Sequence, residues 1–102
     1  MIKVAYCDVS DLDMIKAYKL LPENRKEKFD KFRFDKDKKL SAGAYLLLVK
    51  LLNEEKITNP LFKIDEYGKA YISNYENIYF NLSHSGKLVA CAISDMEIGV
   101  DI

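Results

Sequence analysis

Apolar and β-branched residues dominate positions 2–7, and their pattern predicts a strand. Ser10 follows, with Asp13 three residues on, a spacing that resembles a capping box in which Asp replaces Glu. Met14, Tyr18 and Leu21 then recur at helical spacing, as do Leu12 and Ile15. Pro22 suits the first turn of a second helix, where its missing N–H would be unsatisfied in any case. That helix is expected over residues 21–34, anchored by Phe29 and Phe32, with Arg25, Lys28 and Lys31 spaced by three on another face. Residues 36–53 carry Leu40, Ala44, Leu47, Leu48, Leu51 and Leu52 on one wide face, extended by Tyr45, Leu46 and Val49. A helix apolar nearly all round belongs in a core. Gly43 in its interior costs roughly 1 kcal/mol relative to Ala and calls for a reason such as close backbone packing.

The second half of the chain changes period. A polar connection over 54–60 leads to short strands at 61–64 and 70–72, separated by the turn Glu66-Tyr67-Gly68-Lys69. A loop at 73–77 precedes residues 79–83, where Phe80 and Leu82 face one way and Asn81 and Ser83 the other. Ser85-Gly86-Lys87 turns the chain into residues 88–93, apolar on both faces and so a buried strand. After Asp95-Met96, Ile98, Val100 and Ile102 alternate with Gly99 and Asp101, predicting a last strand that the chain leaves in its middle. The expected fold is α+β: a mostly antiparallel sheet packed on the central apolar helix, with the charged helix over one edge, forming a single domain over residues 1–102.

Composition narrows the classes. At 102 residues, 49% hydrophobic, with seven Tyr and five Phe, the chain can bury one modest core. Its formal net charge of zero argues against a general nucleic-acid binder. Residues 25–39 nevertheless hold eight Lys or Arg against four acids. Such a run is either a solvated helix face or a cationic rim, and periodicity does not separate the two. Cys7 and Cys91 lie in apolar strand contexts and read as buried, reduced thiols. No secretory signal pattern opens the chain and no apolar run reaches membrane-spanning length, so a cytoplasmic, membrane-free protein is expected.

Zinc-type Cys/His spacing, the GxxxxGK[ST] phosphate loop and the GxGxxG turn are all missing from the sequence. The single histidine, His84, stands between Ser83 and Ser85 at a strand end before Gly86. Nucleophiles of hydrolytic triads normally reach their base from elsewhere in a fold, so a hydrolase is disfavoured. Imidazole and hydroxyls together with Lys and Arg suit a phosphate better than a metal. Asp101 offers hard oxygen ligands for Mg²⁺, or is an edge-strand charge; one carboxylate is not a complete metal site.

Phe80-Asn81-Leu82-Ser83-His84-Ser85, an apolar run, and then Ile98-Gly99-Val100-Asp101-Ile102 closely resemble the signatures of the 4′-phosphopantetheinyl transferases, in particular the larger, pseudo-dimeric type that activates peptide-synthetase and acyl carrier proteins. Asp37-Lys38-Lys39-Leu40-Ser41-Ala42-Gly43-Ala44 before Leu46-Leu47-Leu48, and Glu66-Tyr67-Gly68-Lys69, resemble two further family features in the same order. The resemblance implies the fold of the N-terminal half of that pseudo-dimer. It also implies transfer of phosphopantetheine from coenzyme A to a carrier-protein serine with Mg²⁺. By this likeness Ser83 and His84 contact a coenzyme A phosphate, with Arg25, Lys28 and Ser41 around the 3′-phosphate. Gly68 and Lys69 lie along the adenine, and Asp101 is a Mg²⁺ ligand.

Ala70 stands where the family usually has proline, and Leu40-Ser41-Ala42 departs from its usual Ser-Leu. The family's Asp is followed two residues later by Glu, and a second half-domain supplies further acids and a lysine; the C-terminal half is expected to be absent here. The chain is therefore expected to bind coenzyme A but to be inactive alone, needing the missing half or a second copy. The alternatives are a non-catalytic coenzyme A or nucleotide-binding module, and a structural dimer that shields the last strand.

Overall fold

A computed structural model describes residues 2–96. Asp101 and the strand expected over 98–102 lie outside the described residues. The elements run β1 (Ile2–Asp8), α1 (Met14–Lys19), α2 (Glu23–Lys31), α3 (Asp35–Glu54), β2 (Phe62–Ile64), β3 (Ala70–Ile72), β4 (Tyr79–Ser85) and β5 (Leu88–Ser94). The described strands form a three-stranded antiparallel sheet, β1-β5-β4, and a two-stranded antiparallel sheet, β2-β3. The α+β class and the antiparallel pairing are those the sequence predicts, but the described strands form two sheets rather than one, and the charged helix packs on α3 rather than over a sheet edge.

β5 is the central strand, and Val89, Ala90, Cys91, Ala92 and Ile93 are each no more than 1% exposed. Its alternation sends Val89, Cys91 and Ile93 toward α3 and the small Ala90 and Ala92 to the opposite face. Leu48, Leu51 and Leu52 of α3 pack with Cys91 and Ile93, while Leu40, nearer the helix start, packs with Val89 and Val9. The other flank of α3 receives α1 and α2: Ala42 clusters with Ala17, Leu21 and Phe29. Gly43 has the reason its position requires, because a Cβ there would collide with Cγ1 of Val9. β4 and β5 are joined by Gly86-Lys87, with Ser85 paired to Leu88. Gly86 has φ +59°, the backbone region that a two-residue hairpin turn demands at its first position.

Three local expectations are corrected. Asp13, not Ser10, caps α1: its Oδ1 accepts from the Ile15 and Lys16 amides at 3.1 Å. The amide and hydroxyl of Ser10 instead donate to Asp8 Oδ1 at 2.8 and 2.6 Å, closing the turn after β1. The charged helix stops at Lys31, and Phe32 is its extended C-cap with ψ 137°. Phe29 is therefore buried against Tyr18, with ring centroids 5.2 Å apart, while Phe32 is only half-buried. Cys7, expected inside, is exposed near the end of β1, which among the described strands lies at the edge of the sheet beside β5. Cys91 is buried as expected, and burial pushes its thiol up to about 12.

Gly43→Ala is expected to destabilise the protein by about 1–3 kcal/mol, as overpacking does, despite the better helix propensity of Ala. The midpoint of urea unfolding measures this, and an unchanged or raised midpoint contradicts the Val9 contact. A thiol-alkylating reagent at mildly alkaline pH is expected to label Cys7 in the folded protein and Cys91 only after denaturation, because the thiolate is the reactive form. Peptide mapping after labelling distinguishes the two, and equal labelling of both native thiols contradicts the placement.

Candidate functional site

Directly paired residues of an antiparallel sheet share a face, so the row Cys7, Val89, His84 lies on the α3 side of the sheet. The row before it, Tyr6, Ala90, Ser83, lies on the other side. His84 is thus carried to the end of the sheet where the first turns of α3 pass over Val89.

A cleft of about 220 Å³ opens there, and three elements line it. β4 contributes Leu82 and His84, two apart on one face. α3 contributes Asp37, Leu40, Ser41 and Ala44, at the i, i+3, i+4, i+7 spacing of one helical stripe. α2 contributes Arg25 and Lys28, three apart and so neighbours on its surface, and Phe32 closes the rim. Four of the residues expected at a phosphate, Arg25, Lys28, Ser41 and His84, therefore meet at one cleft.

The same fold divides the basic run. Lys26 lies over the Tyr18 ring and Lys38 over the Phe29 ring, each 5.3 Å from the centroid, whereas Arg25 and Lys28 line the cleft. Burial lowers the pKa of the Arg25 guanidinium, partly offset by Tyr45; a guanidinium stays charged nonetheless. Partial burial, and then the neighbouring Arg25, lower that of Lys28. Among the described residues neither cation is in an ion pair, although Asp37 lines the same cleft. Like charges gathered at a partly dry site are stabilised by an anion, and a guanidinium, an ammonium, a hydroxyl and an imidazole together can donate to several oxygens of one phosphate.

Other expected residues stand elsewhere. The side chain of Ser83 is on the opposite face of the sheet from His84, so the pair does not clamp one ligand from a shared face. Gly68, with φ +82°, and Lys69 occupy the turn between β2 and β3. There Asp65 Oδ1 accepts from the Tyr67 and Lys69 amides, both at 2.9 Å. Lys69 lines a second cleft of about 140 Å³ beside Tyr71, Tyr79 and Phe80. Phe80, which lines this cleft, precedes Leu82, which lines the first, by two on β4, so the two residues share a strand face about 7 Å apart.

Among the described residues no three His, Cys, Asp or Glu side chains converge to hold a metal ion. Asp101 lies outside them. A larger cleft of about 490 Å³ shares Leu40 and is lined by Lys36, Lys39 and Lys87. Its cations are partly committed, with Lys39 donating to the Ser10 carbonyl at 2.8 Å and Lys87 lying 3.6 Å from Asp8. Sequence reasoning missed this cleft, and also missed Tyr45 beneath Arg25. The i+4 spacing from Ser41 was the available signal for Tyr45, but an aromatic on an apolar helix reads as core.

Residues 8–96 match the family described as 4′-phosphopantetheinyl transferase, N-terminal. A 4′-phosphopantetheinyl transferase of Bacillus subtilis is 46% identical over 41 residues, covering 40% of this chain and 18% of that protein. The 4′-phosphopantetheinyl transferase gsp of Aneurinibacillus migulanus is 43% identical over 63 residues, 62% of this chain and 24% of its own. A third, ffp of Bacillus subtilis, is 33% identical over 81 residues, 76% of this chain and 36% of its own. The matched stretches thus span between 18% and 36% of these relatives' length. With the match running from Asp8 to Met96 across every described helix, the chain belongs to the 4′-phosphopantetheinyl transferase family and corresponds to its N-terminal domain.

Proposed function

We propose that this chain is the coenzyme A-binding half of a 4′-phosphopantetheinyl transferase and holds the 3′-phosphate of coenzyme A in the cleft of Arg25, Lys28, Ser41 and His84. The observation that carries this reading is the convergence of these four side chains, drawn from α2, α3 and β4, on one cleft without an ion-pair partner for either cation among the described residues. The cleft at the β2–β3 turn supports adenine along Gly68 and Lys69, with Tyr71, Tyr79 and Phe80 supplying ring surface near it. Of the adjacent Ser83 and His84, His84 lines this cleft and Ser83 does not.

Transfer itself needs more than the described residues. Asp101 would offer one hard oxygen ligand to Mg²⁺, with the others coming from a C-terminal half. Bound there, the ion would neutralise charge on the pyrophosphate during attack by a carrier-protein serine. On the outer face of the three-stranded sheet β1 exposes Ile2 (66%), Val4 (47%) and Tyr6 (61%), while Ala90 and Ala92 next to them on β5 are buried. Such a face supports a covering partner. The greater length of the relatives favours the C-terminal half over a second copy. Coenzyme A and carrier proteins as substrates fit a cytoplasmic setting, and no described helix is long and apolar enough to cross a membrane.

Calorimetry with coenzyme A and its analogue lacking the 3′-phosphate tests the cleft. The wild-type protein is expected to prefer coenzyme A, and Arg25→Ala or His84→Ala to cut that preference about 10- to 100-fold, the loss of one or more charge-assisted hydrogen bonds. Ser83→Ala is expected to leave it unchanged. Equal affinity of the wild-type protein for both ligands would sink the reading. Transfer is followed separately by the mass gain of a carrier protein. The 102-residue chain alone is expected to give none, and addition of a C-terminal half carrying the acids to restore it. Transfer by the chain alone would remove the need for that half, whereas no transfer with it would remove the transferase role.

A further inference from the structure

Arg25 reaches the cleft on a long, flexible side chain, and among the described residues no carboxylate pairs with it. What it does meet is a ring: its Cζ lies 5.1 Å from the centroid of Tyr45. Tyr45 follows Ser41 by four on α3, so the two side chains neighbour one another on the helix surface. The Tyr45 ring is itself held. It meets Phe62 of β2 in a T-shaped contact at 5.9 Å, and Phe62 meets Phe80 of β4 in another at 5.7 Å and 87°. Phe80 and Phe62 pack against the main core, so the ladder ends on rigid elements of both sheets. Burial raises the pKa of the Tyr45 phenol and Arg25 pulls it back, leaving a neutral ring whose face attracts a cation.

We propose that Tyr45 is a positioning residue for the cleft: its ring, braced by Phe62 and Phe80, holds the Arg25 guanidinium where Lys28, Ser41 and His84 converge, so that a phosphate meets a pre-oriented fork. This inference rests on the phosphate-binding reading of that cleft. An arginine free to sample many rotamers loses entropy when it grips an anion, and a ring that restricts it beforehand removes part of that loss at the moment of binding. The ladder's last ring, Phe80, also lines the Lys69 cleft, so the same aromatic series fixes the cationic cleft relative to the β2–β3 turn. A plain core aromatic would contribute only buried area, which Leu or Met would largely replace. A positioning ring contributes its π face, which Phe keeps and Leu and Met do not.

The experiment measures binding of 3′,5′-ADP and 5′-AMP, which differ only in the 3′-phosphate, by calorimetry. Wild-type protein is expected to prefer 3′,5′-ADP. Tyr45→Phe is expected to keep that preference, and Tyr45→Leu and Tyr45→Met to lower it about five- to tenfold, the range that a partly desolvated cation–π contact supports. On an Arg25→Ala background Tyr45→Leu is expected to cause no further loss, because the ring acts through Arg25.

Preference retained in Tyr45→Leu while Arg25→Ala loses it would overturn the role of Tyr45 and leave the phosphate site standing. A wild-type protein without the preference would overturn both. Should the apolar variants fail to fold, proton NMR of the wild-type protein decides. The Arg25 Cδ protons are expected upfield of their random-coil positions under the ring current, and unshifted protons would overturn the proposal.

Discussion

Leu48, Leu51 and Leu52 lie on Cys91 and Ile93, and Leu40, about two turns earlier on the same helix, lies on Val89 and Val9. This lengthwise seating of α3 along β5 is the constraint from which the rest of the structure follows. Each fully buried leucine contributes about 1.5–3 kcal/mol, and the series on α3 sets which helical stripe faces the sheet. Gly43 lets Val9, just beyond β1, come against the helix backbone, which locks the start of α3 to the end of the sheet. With that end fixed, Leu40 and Ser41 can only stand beside the last residues of β4, where Leu82 and His84 face the helix.

The cleft is a consequence of that seating and of one further layer. α2 rests on the opposite flank of α3 through Phe29, in the cluster of Ala42, Ala17 and Leu21. Once Phe29 is buried, Arg25, one turn earlier, and its neighbour Lys28 are turned toward the cleft, while Lys26 and Lys38 are drawn over aromatic rings. A core contact thus places two cations of the basic run, the half-buried Arg25 and the exposed Lys28, at the cleft. Burial lowers the pKa of both cations, and Arg25 adds a smaller lowering at Lys28, so the charged forms are disfavoured there relative to water.

Alternation along β4 carries a second lesson. Phe80, Leu82 and His84 share one face and Asn81, Ser83 and Ser85 the other, which extends to His84 and Ser85 the alternation that residues 79–83 show in sequence. Family likeness implied a phosphate contact for both Ser83 and His84. The pleat separates their side chains, so the cleft has the imidazole and not that hydroxyl. Ser41, reached across about 40 residues of chain, supplies the hydroxyl instead.

Much of the fold was legible because its signals are local. The apolar stripe of α3, the doubly apolar β5, the Gly68 and Gly86 turns and the short strands 70–72 each follow from periodicity or backbone preference within a few residues. Where two local solutions compete, sequence was a poorer guide: Ser10 and Asp13 are both capping residues, and only the position of Asp8 at the end of β1 decides which hydroxyl or carboxylate is free to cap. Cys7 likewise has an apolar strand context but stands near the end of an edge strand, a fact that strand order alone determines. The sequence by itself determined the elements, the family signatures and the residue types suited to a phosphate. Tertiary structure decided which of those residues meet and that Tyr45 lies under Arg25. The reason is physical: periodicity specifies faces of single elements, whereas a binding cleft is made by the register of several elements packed against one another.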